Sequence, residues 1–100
     1  MYRRFFVEEQ KIGSGGYGSV FLCRHMINGI DLGKYAIKKI PVGDNRPWLM
    51  RVLREVKALE TLKKHPNIIN YQHSWLEADR TADFGPEIPC LFILMEYANG

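Results

Sequence analysis

No run in this sequence approaches the ~20 consecutive apolar residues that a bilayer-spanning helix needs. The amino terminus (Met1-Tyr2-Arg3-Arg4-Phe5-Phe6-Val7) turns acidic at Glu8 and Glu9, too early for the apolar centre of a secretory signal. Cysteine is scarce. Cys23 and Cys90 lie far apart and match no metal-ligand spacing. That leaves one disulfide open on spacing alone, with reduced thiols in the cytoplasm the favoured reading. Charge of one sign is never concentrated either. The net charge is +3, and lysines come in short pairs, Lys38-Lys39 and Lys63-Lys64. A nucleic-acid surface needs a clustered basic face, so no nucleic-acid and no membrane partner is expected. Repeats and Gly/Ser linkers are absent, which predicts a single unit over residues 1–100. What is present is ordinary for a globular chain, with 46% hydrophobic and 25% charged residues. That balance excludes collagen-like and disordered classes.

Periodicity predicts an α+β unit. Phe5 to Ile12 alternates loosely and is rich in aromatic and β-branched residues, as strands are, and Ser19 to His25 reads the same way. Asn28-Gly29 signals a hairpin before a third strand, Lys34 to Ile40, so the first three strands should form an antiparallel meander. Asp44 or Asn45 can cap a helix over Pro47 to Lys64, where Leu49, Val52, Leu53, Val56, Leu59 and Leu62 share one face. His65-Pro66-Asn67 ends it, because proline disfavours helical geometry in the preceding residue. Ile68 to Glu77 reads as a fourth strand, and Ala78 to Cys90, broken by Gly85, Pro86 and Pro89, as a loop. Leu91 to Tyr97 is continuously apolar and reads as a strand covered on both faces. The expected order is β-β-β-α-β-β.

The glycine cluster Gly13-Ser14-Gly15-Gly16-Tyr17-Gly18, followed by Val20, fits two phosphate-binding patterns. Glycines suit that chemistry because backbone N–H groups must approach phosphate oxygens with no Cβ in the way. A dinucleotide-binding turn runs strand, turn, helix. Here Ser19-Val20-Phe21-Leu22-Cys23 follows, a strand pattern, and no Gly-Lys-Ser/Thr ending is present. What remains is a glycine-rich hairpin folded over phosphates, or a mobile hairpin with no ligand.

Downstream comes Tyr35-Ala36-Ile37-Lys38. Alternation puts Ala36 and Lys38 on one strand face and Ile37 on the other. Ala36 leaves room for a flat ring and Lys38 offers a point charge to phosphate, although a solvated lysine like its neighbour Lys39 is the plainer reading. On the helix, Glu55 falls within the apolar arc beside Trp48, Leu59 and Leu62. A carboxylate there is costly unless paired, which points to Lys38 as its partner rather than to Arg51 one turn away.

Together these residues resemble the N-terminal lobe of a eukaryotic protein kinase. His65-Pro66-Asn67-Ile68 and Leu94-Met95-Glu96-Tyr97 match that family in order and spacing too. The resemblance implies a five-stranded antiparallel sheet with one main helix, and it implies ATP as the bound nucleotide. Lys38 and Glu55 would be the catalytic pair. Nucleotide contacts would come from Ile12, Gly13, Ser14, Gly15, Gly16, Tyr17, Gly18, Val20, Ala36, Lys38, Met95, Glu96, Tyr97 and Ala98. Val20 and Ala36 would roof the adenine and Met95 would be the gatekeeper. The backbone of Glu96 and Ala98 would form the hinge, and Leu59 and Tyr71 would stack as a spine. Asn70-Tyr71-Gln72-His73-Ser74-Trp75-Leu76-Glu77 is similar to the fourth strand of the translation-initiation-factor-2α kinases and of fungal IKS-type kinases, which implies serine/threonine specificity.

The same resemblance sets limits. Asp83-Phe84-Gly85 spells the family's magnesium-binding tripeptide but precedes the hinge segment, so no metal role is carried onto it. No His-Arg-Asp catalytic loop occurs in these residues. Magnesium ligands and the catalytic aspartate are therefore expected in a C-terminal lobe, and the 100 residues alone are expected to be inactive. Protein hydroxyls would be the substrate of the longer protein. The surface facing the second lobe is expected to drive self-association. The alternative reading is a non-catalytic, pseudokinase-like nucleotide-binding or scaffolding module.

Overall fold

A computed structural model describes residues 1–14, 18–62, 71–80 and 85–97. The elements are α1 (Tyr2–Phe5), β1 (Phe6–Ser14), β2 (Ser19–Ile27), β3 (Ile30–Pro41), α2 (Arg46–Leu62), β4 (Tyr71–Arg80) and β5 (Glu87–Glu96). The five strands form one sheet in the order β1-β2-β3-β5-β4, every neighbouring pair antiparallel. The expected sheet, single main helix and opening meander are all present.

Asn28 and Gly29 both take positive φ, 51° and 79°, and connect Ile27 to its cross-strand partner Ile30. Two central residues at positive φ match the right-handed twist of the flanking strands, which is why Asn-Gly suits this turn. The β2–β3 ladder runs all the way to the turn, so both strands extend past the sequence expectation. Asn45 Oδ1 accepts the Trp48 backbone N–H at 3.0 Å and caps α2.

Three boundaries differ from expectation. The first residues form a helical turn, and β1 begins only at Phe6. Second, β4 runs to Arg80 and β5 starts at Glu87, so much of the expected Ala78–Cys90 loop is strand. Pro89 is tolerated because it lies beyond the end of β3, whose last pair is Pro41 with Cys90. There the Pro89 carbonyl accepts the N–H groups of Val42 and Gly43, each at 3.0 Å. Third, α2 begins at Arg46 rather than Pro47; it is described to Leu62, and its expected end at Lys64, with residues 63–70, lies outside the described residues.

The sheet has two packed faces, and β5 serves both. Leu91 and Ile93 join Ile40, Val42, Val52 and Val56 under α2, on what we term the front face. Cys90 and Phe92 join Tyr2, Phe6, Cys23 and Ile37 on the rear face. This alternation is the double-sided burial expected for that strand. Cys23 sits opposite Tyr35 and Cys90 opposite Pro41. Six positions along β3 separate those partners, about 20 Å at ~3.3 Å per residue, far beyond disulfide reach. Both thiols are free and buried.

Candidate functional site

Directly paired residues of an antiparallel ladder project from the same face. One row across the sheet is Val20–Lys38–Ile93 and the next is Leu22–Ala36–Met95. Ile93 belongs to the front cluster and Met95 packs against it, so Val20, Ala36, Lys38 and Met95 share the front face. Gly13 pairs with Val20 at its edge. Ala36 is buried, while Lys38, Val20 and Met95 are half-buried. Small and apolar groups with one adjacent ammonium suit a flat base carrying phosphates.

The glycine segment closes β1 onto β2. Ser14 pairs with Ser19 at its base, and Ile12 is exposed near the end of β1. Gly15, Gly16 and Tyr17 lie outside the described residues. A Cβ on Gly18 would collide with the Lys39 carbonyl oxygen, so β3 itself requires glycine there. Among the described residues Gly13 has only the Val20 side chain near, at 3.8 Å, so none of them requires it to lack a Cβ.

The helix brings a correction. Trp48, Leu49, Val52 and Val56 pack against the sheet, whereas Glu55 is exposed. Glu55 lies about 60° around the helix from Val52 and about 100° from Val56, at the rim of the stripe rather than within it. Among the described residues it forms no ion pair with Lys38 or with Arg51, and exposure removes the desolvation cost that called for a partner. Trp48 anchors the start of the helix to β3, its indole N–H donating to the Pro41 carbonyl at 3.0 Å.

At the far end of β5, Met95 is followed by exposed Glu96, which pairs with Tyr35, and then by half-buried Tyr97. Ala98, Asp83 and Phe84 lie outside the described residues, as do the side chains of Leu59 and Tyr71. In register, Tyr71 stands opposite Met95. Gly85 belongs to the β4–β5 connection, before the hinge segment.

Sequence reasoning missed the rear face. Lys39 is not solvated: it is only 7% exposed, and its Nζ lies 2.7 Å from Asp79 Oδ2 and donates to the Arg80 carbonyl at 2.7 Å. Burial alone would raise the Asp79 carboxyl. The Lys39 hydrogen bond, the Arg80 N–H and the charges of Lys39 and Arg3 outweigh it and hold Asp79 below the usual carboxylate range. A signal was available. Tyr35, Ile37 and Pro41 alternate as apolar residues, which places Lys39 in a row otherwise destined for a core. Among the described residues, no group of three His, Cys, Asp or Glu could hold a metal ion, and no helix is long and apolar enough to cross a membrane.

Comparison with known proteins agrees with this geometry. A protein-family model for the protein kinase domain matches residues 6–100. The chain is 74% identical over 98 residues to the probable serine/threonine-protein kinase iksA of Dictyostelium discoideum, covering 98% of this chain and 10% of that protein. It is 43% identical over 77 residues to eukaryotic translation initiation factor 2-alpha kinase 1 of Mus musculus, covering 76% and 12%. It is 35% identical over 109 residues to the interferon-induced, double-stranded RNA-activated protein kinase of Rattus norvegicus, covering 98% and 19%. The chain thus spans between a tenth and a fifth of the length of these relatives.

Proposed function

Because the chain belongs to the protein kinase domain family, we propose that it is the N-terminal, ATP-holding lobe of a serine/threonine kinase, running to the hinge. In a longer protein it would serve transfer of the ATP γ-phosphate to protein hydroxyls. The observation that carries this reading is the front-face arrangement of Val20, Ala36, Lys38 and Met95 in two adjacent rows.

Bound ATP would supply the transferable phosphoryl group, and this chain's residues would hold and orient it. Lys38 would neutralise the α- and β-phosphates, and Val20 with buried Ala36 would roof the adenine. Met95 would close the back of the pocket, and backbone groups of Glu96, Tyr97 and Ala98 would meet the adenine edge. The backbone of Gly13 to Gly18, with Ser14, Gly15, Gly16 and Tyr17 between, would cover the phosphates. The missing Cβ at Gly13, which no contact among the described residues demands, fits a close approach by a ligand. Magnesium is left to residues outside this chain, and no step is derived through it. Reduced, buried cysteines support a cytoplasmic setting.

Glu55, exposed and without an ion pair among the described residues, favours a second reading, a non-catalytic nucleotide-binding or scaffolding module of the pseudokinase kind. In the first reading α2 rotates toward the sheet in the complete kinase and Glu55 then positions Lys38. Phosphotransfer by the longer protein separates the two. The enzyme reading expects activity that Lys38→Met abolishes and Glu55→Gln strongly reduces. Nucleotide binding that depends on Lys38, with no transfer under any condition, would establish the second reading. Failure of an ATP analogue to bind at all would refute the enzyme reading and leave only the scaffolding form of the second.

A further inference from the structure

Residues 1–5 precede the stretch matched by the kinase family, 6–100, yet Tyr2 belongs to the rear core and Phe5 packs against it. The sheet curls so that its opposite edges meet there. Phe6 of β1 stacks on Trp75 of β4 with ring centroids 6.1 Å apart, although these strands are the two ends of the sheet order. Tyr2 fills the space between them. It is fully buried, its ring 4.5 Å from Phe92 and 6.2 Å from Phe6. Its hydroxyl donates to Glu8 at 2.6 Å and shares a 3.4 Å hydrogen bond with Cys23 Sγ.

The rim of this slot is acidic. Glu77 accepts the Tyr2 backbone N–H through both carboxylate oxygens, each at 3.0 Å. Arg3 Nε lies 3.4 Å from Asp79 and its Nη1 lies 3.6 Å from Glu8. Lys39 Nζ stands 5.9 Å from the Tyr2 ring centroid. Two side chains thereby touch groups from all five strands. A single helical turn has no stability of its own, so α1 is held by its pocket rather than by helix propensity.

We propose that the rear face is a docking site for an aromatic residue followed by arginine, and that the chain's own Tyr2-Arg3 occupies it. The aromatic slot of Phe6, Cys23 and Phe92 selects the ring, and Glu8 and Asp79 select the guanidinium. Whatever precedes the domain is thereby fastened to the lobe on the side opposite Lys38. This inference goes beyond the nucleotide reading and does not depend on it.

Cys23 is the reporter. Burial and the Glu8 charge, against the Tyr2 hydrogen bond, push its thiol up to about 11, so the intact chain should alkylate slowly at neutral pH. In the Tyr2→Ala/Arg3→Ala variant of the intact chain, iodoacetamide should label Cys23 about tenfold faster relative to Cys90. A capped peptide with the sequence of residues 1–5 should restore protection saturably, and the same peptide with alanine at its second position should not. An unchanged Cys23 rate overturns the proposal. So does acceleration that no peptide reverses, or equal acceleration of both cysteines, since either makes the pocket mere packing. Should the double variant fail to fold, Arg3→Glu replaces it, because the Arg3 side chain is 58% exposed. Placing a carboxylate against Asp79 and Glu8 should accelerate Cys23 labelling, and an unchanged rate would again overturn the proposal.

Discussion

Replacing Lys39 with methionine is the sharpest test of the rear-face electrostatics. The side chains of Lys39 and Asp79 are only 8% and 10% exposed and meet at 2.7 Å. Methionine keeps the length and packing of the lysine stem but removes the ammonium, leaving a buried carboxylate without its nearest cation and the Arg80 carbonyl without its donor. Breaking a buried pair from one side costs ~3–5 kcal/mol. Arg3 remains 3.4 Å from Asp79 and offsets part of that loss, so the expected cost is about 3 kcal/mol, the low end of the range. Urea denaturation at pH 7 measures it directly. Replacing both partners, Lys39→Met/Asp79→Leu, should recover most of the loss, since an apolar pair leaves no buried charge. Asp79 also predicts a pH dependence. Its folded carboxyl titrates below its unfolded value of about 3.9, so its stabilisation is complete above that value and fades as pH falls through the lower folded one. Lys39→Met should flatten this acid limb. A cost below about 1 kcal/mol, typical of a solvated pair, with an unchanged acid limb, would refute the reasoning.

Other perturbations test the front face and its supports. Gly18→Ala should cost about 1–3 kcal/mol through collision with the Lys39 carbonyl. Gly13→Ala, with its nearest atom at 3.8 Å, should leave the melting temperature nearly unchanged while weakening binding of an ATP analogue. Asn45→Ala and Trp48→Phe each remove one hydrogen bond at the start of α2 and should cost about 1 kcal/mol in chemical denaturation. Met50 and Leu53 are 52% and 37% exposed on the helix. Sedimentation of the 100-residue chain should therefore show concentration-dependent self-association that Met50→Lys/Leu53→Lys suppresses, and a monodisperse wild type would count against this surface.

Much of the architecture was legible because it rests on short-range rules. The Asn28-Gly29 turn, the Asn45 cap and the two-residue alternation of β3 and β5 each follow from local geometry, and together they place Ala36 and Lys38 on the face with Met95. What escaped was decided by tertiary context. Phe5 read as strand, and Tyr2 to Arg4 as no element, because nothing local favours one helical turn; the pocket does. Pro89 resembled a loop breaker because the sequence does not reveal that β3 has ended beside it. Lys39 looked like surface because its partner lies forty positions downstream. Glu55 looked buried because the stripe was drawn too wide, and Val52 and Val56 mark its true centre.

The hairpin at Asn28-Gly29 also acts as a ruler. With Ile27 facing Ile30, the count along β3 starts at the turn and, past one register shift between Arg24 and Met26, reaches Lys38 on one side of the sheet and Lys39 on the other. Because side chains alternate with each residue, sliding β3 by a single position would exchange the two lysines. Lys39 would then arrive at the front, and Lys38 would inherit Asp79. A one-residue insertion in β3 between that irregularity and the lysines is therefore a change to the proposed nucleotide face. The integrity of that face rests on a left-handed turn and one extra residue beyond it, which together keep the alternation of β3 in phase.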